Sequence, residues 1–79
     1  MMISIQDTFL QSGHNLRRIR TRKNLSIPAL AVLSQVDAQV IEAMEEGNFD
    51  FSMHTLFNLA ATLNVDFREI LLDRVPDPK

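Results

Sequence analysis

The sequence predicts an all-α fold of five short helices, and three observations carry that expectation. Apolar residues recur at helical spacing, most plainly at Leu56, Leu59, Ala60 and Leu63, the i, i+3, i+4, i+7 pattern of an amphipathic helix. Residues that cap helices stand ahead of such windows: Ser26, Asp37, Ser52 and Asp66. Each offers a side-chain oxygen to the free N–H groups of a first helical turn. No run alternates between apolar and polar residues for long enough to make a strand. At 79 residues the chain has room for one domain with a modest core.

The elements follow in order. Residues 1–7 read as a flexible or partner-contacting N-terminus, because Met1, Met2, Ile3 and Ile5 are too apolar for a purely solvated tail. A first helix from about Thr8 to Lys23 puts Phe9, Leu16 and Ile19 on one face, with Leu10 at its edge. Gly13 weakens that helix by about 1 kcal/mol relative to Ala and argues for a later start. Asn24 is a natural stop, since Asn tolerates the left-handed conformation. Ser26 caps a second helix that runs to about Leu33 or Ser34, with Pro28 in its first turn, where a missing N–H does no harm. Asp37 caps a third helix, about Ala38 to Glu46, which ends at Gly47. Asn48 to Phe51 form a loop, in which one of Phe49 and Phe51 is expected to plug the core between the third and fourth helices and the other to be exposed for a partner contact. Ser52 and Asn64 bound the fourth helix. Asp66 caps a fifth, Phe67 to about Asp73, with Phe67, Ile70 and Leu71 turned inward. Pro76 and Pro78 stop the tail, residues 74–79, from continuing as helix. The domain proper is therefore expected over residues 8–73.

Composition narrows the chemistry. Apolar content of 46% and charged content of 23% are ordinary for a globular domain. The absence of cysteine excludes disulfides, a thiol nucleophile and a thiolate metal site, and fits a cytoplasmic location. The first residues lack the basic region and long apolar run of a signal peptide. No apolar stretch approaches the roughly 20 residues of a membrane span. His14 and His54 lack ligand spacing, so no metal is expected. There is no Gly-rich phosphate loop and no nucleophile–base pair, so neither a cofactor, an enzyme nor a small-molecule effector domain is expected. The net charge of −2 is unevenly spread: residues 8–36 carry +5 and residues 37–79 carry −6. The positive charge is concentrated on the first helix, as a partner for nucleic acid would require.

The stretch Leu25–Gly47 organises the rest. It reads as a helix, a tight turn and a second helix, with Leu30, Ala31, Val36, Ile41 and Met44 facing one core. A helix–turn–helix of this kind is a common way to place one helix in the DNA major groove. Several motifs stand in register with it: Leu16-Arg17-Arg18-Ile19-Arg20, Leu25-Ser26, Leu30-Ala31, Val36, Ile41, Glu45 and Gly47, then Leu56, Leu59-Ala60, Leu63-Asn64-Val65 and Ile70-Leu71. From about Leu16 to Leu72 the chain resembles the lambda-repressor-like family of Cro/repressor (XRE) type. The resemblance implies a compact five-helix domain whose second and third helices form the DNA-binding motif. It also implies an ion pair between Arg20 and Glu45. The chain departs from the family pattern in places: Ile27 stands where a phosphate-contacting glutamine is usual, Gln35 where the turn usually has glycine, and Ala38, Gln39 and Val40 where the first recognition-helix positions often carry Arg, Gln, Ser or Thr.

In a DNA-binding reading, the third helix, about residues 38–46, is the recognition helix. Gln39 is the best base reader, because Gln bonds adenine N6 and N7 together. Ala38 and Ala43 would meet thymine methyl groups, and Glu42 would accept from cytosine N4. Arg17, Arg18, Arg22, Lys23, Ser26 and Asn48 are candidates for phosphate contact, which sets affinity without reading sequence. The expected protein is a sequence-specific transcriptional regulator acting on double-stranded DNA as a small homodimer. Its dimer contacts would come from Phe67, Ile70, Leu71, Leu72 and Val75 or from the apolar N-terminus. The alternative is a protein–protein interaction module, antitoxin-like or co-regulatory, that keeps the fold. That alternative rests on Asp37, Glu42, Glu45 and Glu46 and on the lack of any Lys or Arg from Leu25 to Phe67.

Overall fold

The computed structural model describes residues 5–48 and 52–71, which form five α-helices: α1 (Ile5–Arg22), α2 (Ile27–Ser34), α3 (Ala38–Glu45), α4 (Met53–Leu63) and α5 (Phe67–Leu71). Each start has a local chemical cause. Ser26 Oγ accepts from the Ala29 N–H at 3.1 Å, Asp37 Oδ1 from the Gln39 N–H at 2.8 Å, and Ser52 Oγ from the Thr55 N–H at 3.1 Å. Asp66 Oδ1 does the same for the Arg68 N–H at 2.8 Å. The Arg68 guanidinium, bonded to the same carboxylate, and that N–H hold the Asp66 carboxyl down at about 2.

Four helices stop in one way. Asn24, Gln35, Gly47 and Asn64 adopt left-handed φ values of 61°, 59°, 95° and 58°. The N–H of each following residue then bonds back to a carbonyl inside the helix: Leu25 to Arg20, Val36 to Ala31, Asn48 to Ala43 and Val65 to Ala60, at 3.1, 3.3, 2.8 and 3.0 Å. This closure satisfies carbonyls that a helix end otherwise leaves open. Only one of the four positions is glycine.

The helices bury a single apolar cluster: Leu16 and Ile19 of α1, Leu30 of α2, Val36 of the turn, Ile41 and Met44 of α3, Leu56, Leu59, Ala60 and Leu63 of α4, and Ile70 of α5. Ala31, Phe67 and Leu71 pack partly against it. α1 lies between α3 and α5, while α4 covers α2 and α5. No described helix is long and apolar enough to cross a membrane.

Three expectations are corrected. α1 begins at Ile5, earlier than the expected start near Thr8 and inside the segment read as a flexible or partner-contacting N-terminus, and runs straight through Gly13. Gly13 is there because α3 comes too close for any side chain. A Cβ at that position would lie 2.5 Å from the Met44 carbonyl oxygen and 2.8 Å from that of Glu45. Ile70 is fully buried in the core, so it has no surface to give to a dimer contact. The side chain of Phe9 and the residues Phe49, Phe51, Leu72 and Val75 lie outside the described parts.

Gly13→Ala tests this packing, because helix propensity and sterics predict opposite signs. Propensity alone favours Ala by about 1 kcal/mol. The clash is with backbone rather than with a yielding side chain, and overpacking of this kind costs about 1–3 kcal/mol. Urea denaturation is expected to show a net loss of stability; a gain would contradict the close approach of α1 and α3.

Candidate nucleic-acid interface

Helix α3 is held against α1 by one buried ion pair. Arg20 Nε donates to Glu45 Oε2 at 2.6 Å, and Arg20 Nη2 donates to Glu45 Oε1 at 2.9 Å. The third guanidinium nitrogen, Nη1, donates to the Leu25 carbonyl at 2.8 Å. The two side chains are only 10% and 6% exposed. The bonded Glu45 carboxylate raises the Arg20 pKa above its ordinary value. A forked, charge-assisted pair of this geometry fixes orientation as well as distance. It joins α1 to the last turn of α3 and, through Leu25, to the segment that leads into α2.

With Ile41 and Met44 buried and Glu45 taken by Arg20, α3 turns Gln39, Glu42, Ala43 and Glu46 outward. Their spacing is i, i+3, i+4, i+7, so they make one stripe along the helix. Gln39, Glu42 and Glu46 are exposed and Ala43 is half-buried. Ala38 is half-buried at the edge of this stripe, between it and the core side. Among the described residues neither Glu42 nor Glu46 has a cation partner. Glu46 belongs to the stripe by its spacing from Glu42 and Gln39, a signal already present in the sequence.

Arg17 stands beside α3. It lines a small surface cavity of about 110 Å³ together with Ile27, Glu42, Glu45 and Glu46. Its side chain is 66% exposed, and its Nε reaches Glu45 only at 4.0 Å. Arg18 and Arg22 are also exposed, but not on the same side. At about 100° per residue, they lie about 100° and about 140° around α1 from Arg17. Arg18 and Arg22, one turn apart, therefore share a face of α1 that lies about a third of a turn away from Arg17, which alone of the three stands beside α3. Lys23, Ser26 and Asn48 are exposed. The Ser26 oxygen already accepts the Ala29 N–H, which leaves its hydroxyl hydrogen directed to no acceptor among the described residues.

Comparison with known proteins places this geometry. A family model described as a helix-turn-helix domain matches residues 15–67. The restriction-modification controller protein C.AhdI from Aeromonas hydrophila superposes with a TM-score of 0.74 at 34% identity, over 78% of this chain and 94% of that one. The hypothetical transcription factor NHTF from Neisseria superposes with a TM-score of 0.78 at 25% identity, over 91% of this chain and 83% of that one. No curated protein sequence matches at a significant level.

The exposure of Arg17 separates a structural role from a contact role. An exposed ion pair at the limit of contact contributes little, so Arg17→Ala is expected to change stability by less than about 0.5 kcal/mol. Urea denaturation checks this, and a loss above about 2 kcal/mol would make Arg17 part of the scaffold.

Proposed function

The chain belongs to the helix-turn-helix domain family, and on that premise we propose that it is a sequence-specific DNA-binding transcriptional regulator that acts as a homodimer. One observation carries the reading. The pair Arg20–Glu45 holds α3 so that Gln39, Glu42 and Ala43 face outward in one stripe, the placement that base readout in the major groove needs. Gln39 reads adenine, Ala43 and, from the stripe's edge, Ala38 meet thymine methyl groups, and Glu42 accepts from cytosine N4. Phosphates on either side are met by Arg17, by the Ser26 hydroxyl at the start of α2, and by Asn48 just past α3. Arg18, Arg22 and Lys23 supply longer-range attraction from around α1.

A single copy presents too small a reading surface for high selectivity, and two copies read two half-sites about one helical turn apart. The dimer contact proposed is the outer side of α4 and α5. There Met53 and Phe57 are exposed, and the Phe57 ring stands edge-on to Phe67 with centroids 5.0 Å apart.

The second reading, a protein-interaction module, draws on the unpaired Glu42 and Glu46. Carboxylates on a recognition face repel phosphate and suit a basic protein surface. Fluorescence anisotropy on random duplex at two salt concentrations discriminates between them. The regulator reading expects binding that weakens steeply with salt, with Arg17→Ala lowering the slope of log K against log salt by about one. On a site recovered by selection, Gln39→Ala is expected to cost about 1–3 kcal/mol at one base position and to leave random-duplex affinity unchanged. No binding at low salt would reject the regulator reading in favour of the interaction module.

A further inference from the structure

Resting on the homodimer reading, we infer that Ser12 and Asn15 are positioning residues that set the separation of the two recognition helices. The last carbonyls of a helix have no intrahelical partner. In α5, two of them are taken by α1. Asn15 Nδ2 donates to the Ile70 carbonyl at 3.2 Å, and Ser12 Oγ donates to the Leu71 carbonyl at 3.0 Å. Both side chains are buried, Ser12 at 0% and Asn15 at 1% exposure. Neither touches the proposed DNA face, and apolar residues of similar size would fill the same space.

A hydrogen bond differs from apolar packing in what it restrains. Apolar packing resists overlap without prescribing one direction of approach, whereas an N–H or O–H donor needs both distance and direction. Ser12 and Asn15 therefore fix the tilt and register of α5 on α1. On another side of α1, Gly13 admits the α3 backbone and Arg20 grips Glu45. α1 is thus a bar with α3 fastened to one side and the end of α5 to another. If two copies join through the outer side of α4 and α5, a tilt of α5 against α1 moves one recognition helix relative to its mate. Half-site spacing on B-DNA, about 34–36 Å centre to centre, tolerates little such movement.

The test uses the full chain and its Ser12→Ala and Asn15→Asp variants. The second variant replaces the donor with a carboxylate facing a carbonyl. Each protein is titrated on duplexes carrying two copies of the half-site selected by the wild type, their spacing stepped one base pair at a time. Single half-site affinity and light-scattering mass are measured alongside. The wild type is expected to bind about tenfold more weakly one base pair from its optimum, the scale of one displaced base contact. The variants are expected to keep half-site affinity and dimer mass, with the loss reduced to less than about threefold. Sharp profiles in folded, dimeric variants would overturn the positioning role and leave the regulator reading standing. A wild type that stays monomeric, or selects no site, overturns both. Ser12→Ala removes one hydroxyl and leaves the apolar core intact, so it decides the question if Asn15→Asp fails to fold.

Discussion

The structure depends on the guanidinium of Arg20. It stands in the last turn of an 18-residue helix, yet it makes contacts that belong to three elements: α1 by covalent attachment, α3 through both oxygens of Glu45, and the lead into α2 through the Leu25 carbonyl. A lysine could reach one of these acceptors but could not fork between them. With both side chains nearly out of water, neither charge can remain without the other. The pair thus ties the order of the helices to the direction in which α3 faces. Once Glu45 is turned toward α1, helical geometry sends Gln39, Glu42, Ala43 and Glu46 to solvent.

Much of this was legible in the residues, and the legible part was local. Ser26, Asp37, Ser52 and Asp66 cap because their oxygens lie within reach of N–H groups two or three residues on, whatever the rest of the chain does. Asn24 and Asn64 stop helices by a property of the single residue. Arg20 and Glu45 were expected as a pair from family register, and periodicity identified the faces of α3 and α4. What stayed hidden was tertiary. Gly13 looked like a flaw in a helix because propensity sees only its own helix; its purpose lies in two carbonyls of α3. Nothing in the local sequence singles out Ser12 and Asn15, because their acceptors lie more than fifty residues away. Ile70 was assigned both to the core and to a dimer face, and only packing could decide. Arg17, Arg18 and Arg22 read together as phosphate-contact candidates, and which of them stands beside α3 depends on the side of α1 that α3 occupies.

The arrangement also explains how a chain of net charge −2 can present a nucleic-acid surface. Four of its arginines sit on α1, and the outward stripe of α3 carries two carboxylates without a cation partner among the described residues. In the proposed reading, long-range attraction and short-range readout fall to different helices, and non-specific affinity would rest on the first and be opposed by the second. Such a division favours discrimination over tightness, because a carboxylate near phosphate is tolerated best where a base edge offers it a donor.

The central claim is that Arg20 and Glu45 act as one unit that fastens α3 to α1. A double-mutant cycle read by urea denaturation, with Arg20→Met, Glu45→Leu and the double variant, tests it most directly. Each single change leaves an uncompensated buried charge and is expected to cost about 3–5 kcal/mol, while the double variant recovers at least about 2 kcal/mol of the summed loss. Losses that simply add would show that the two side chains contribute independently, and the account of how the recognition helix is held would be contradicted.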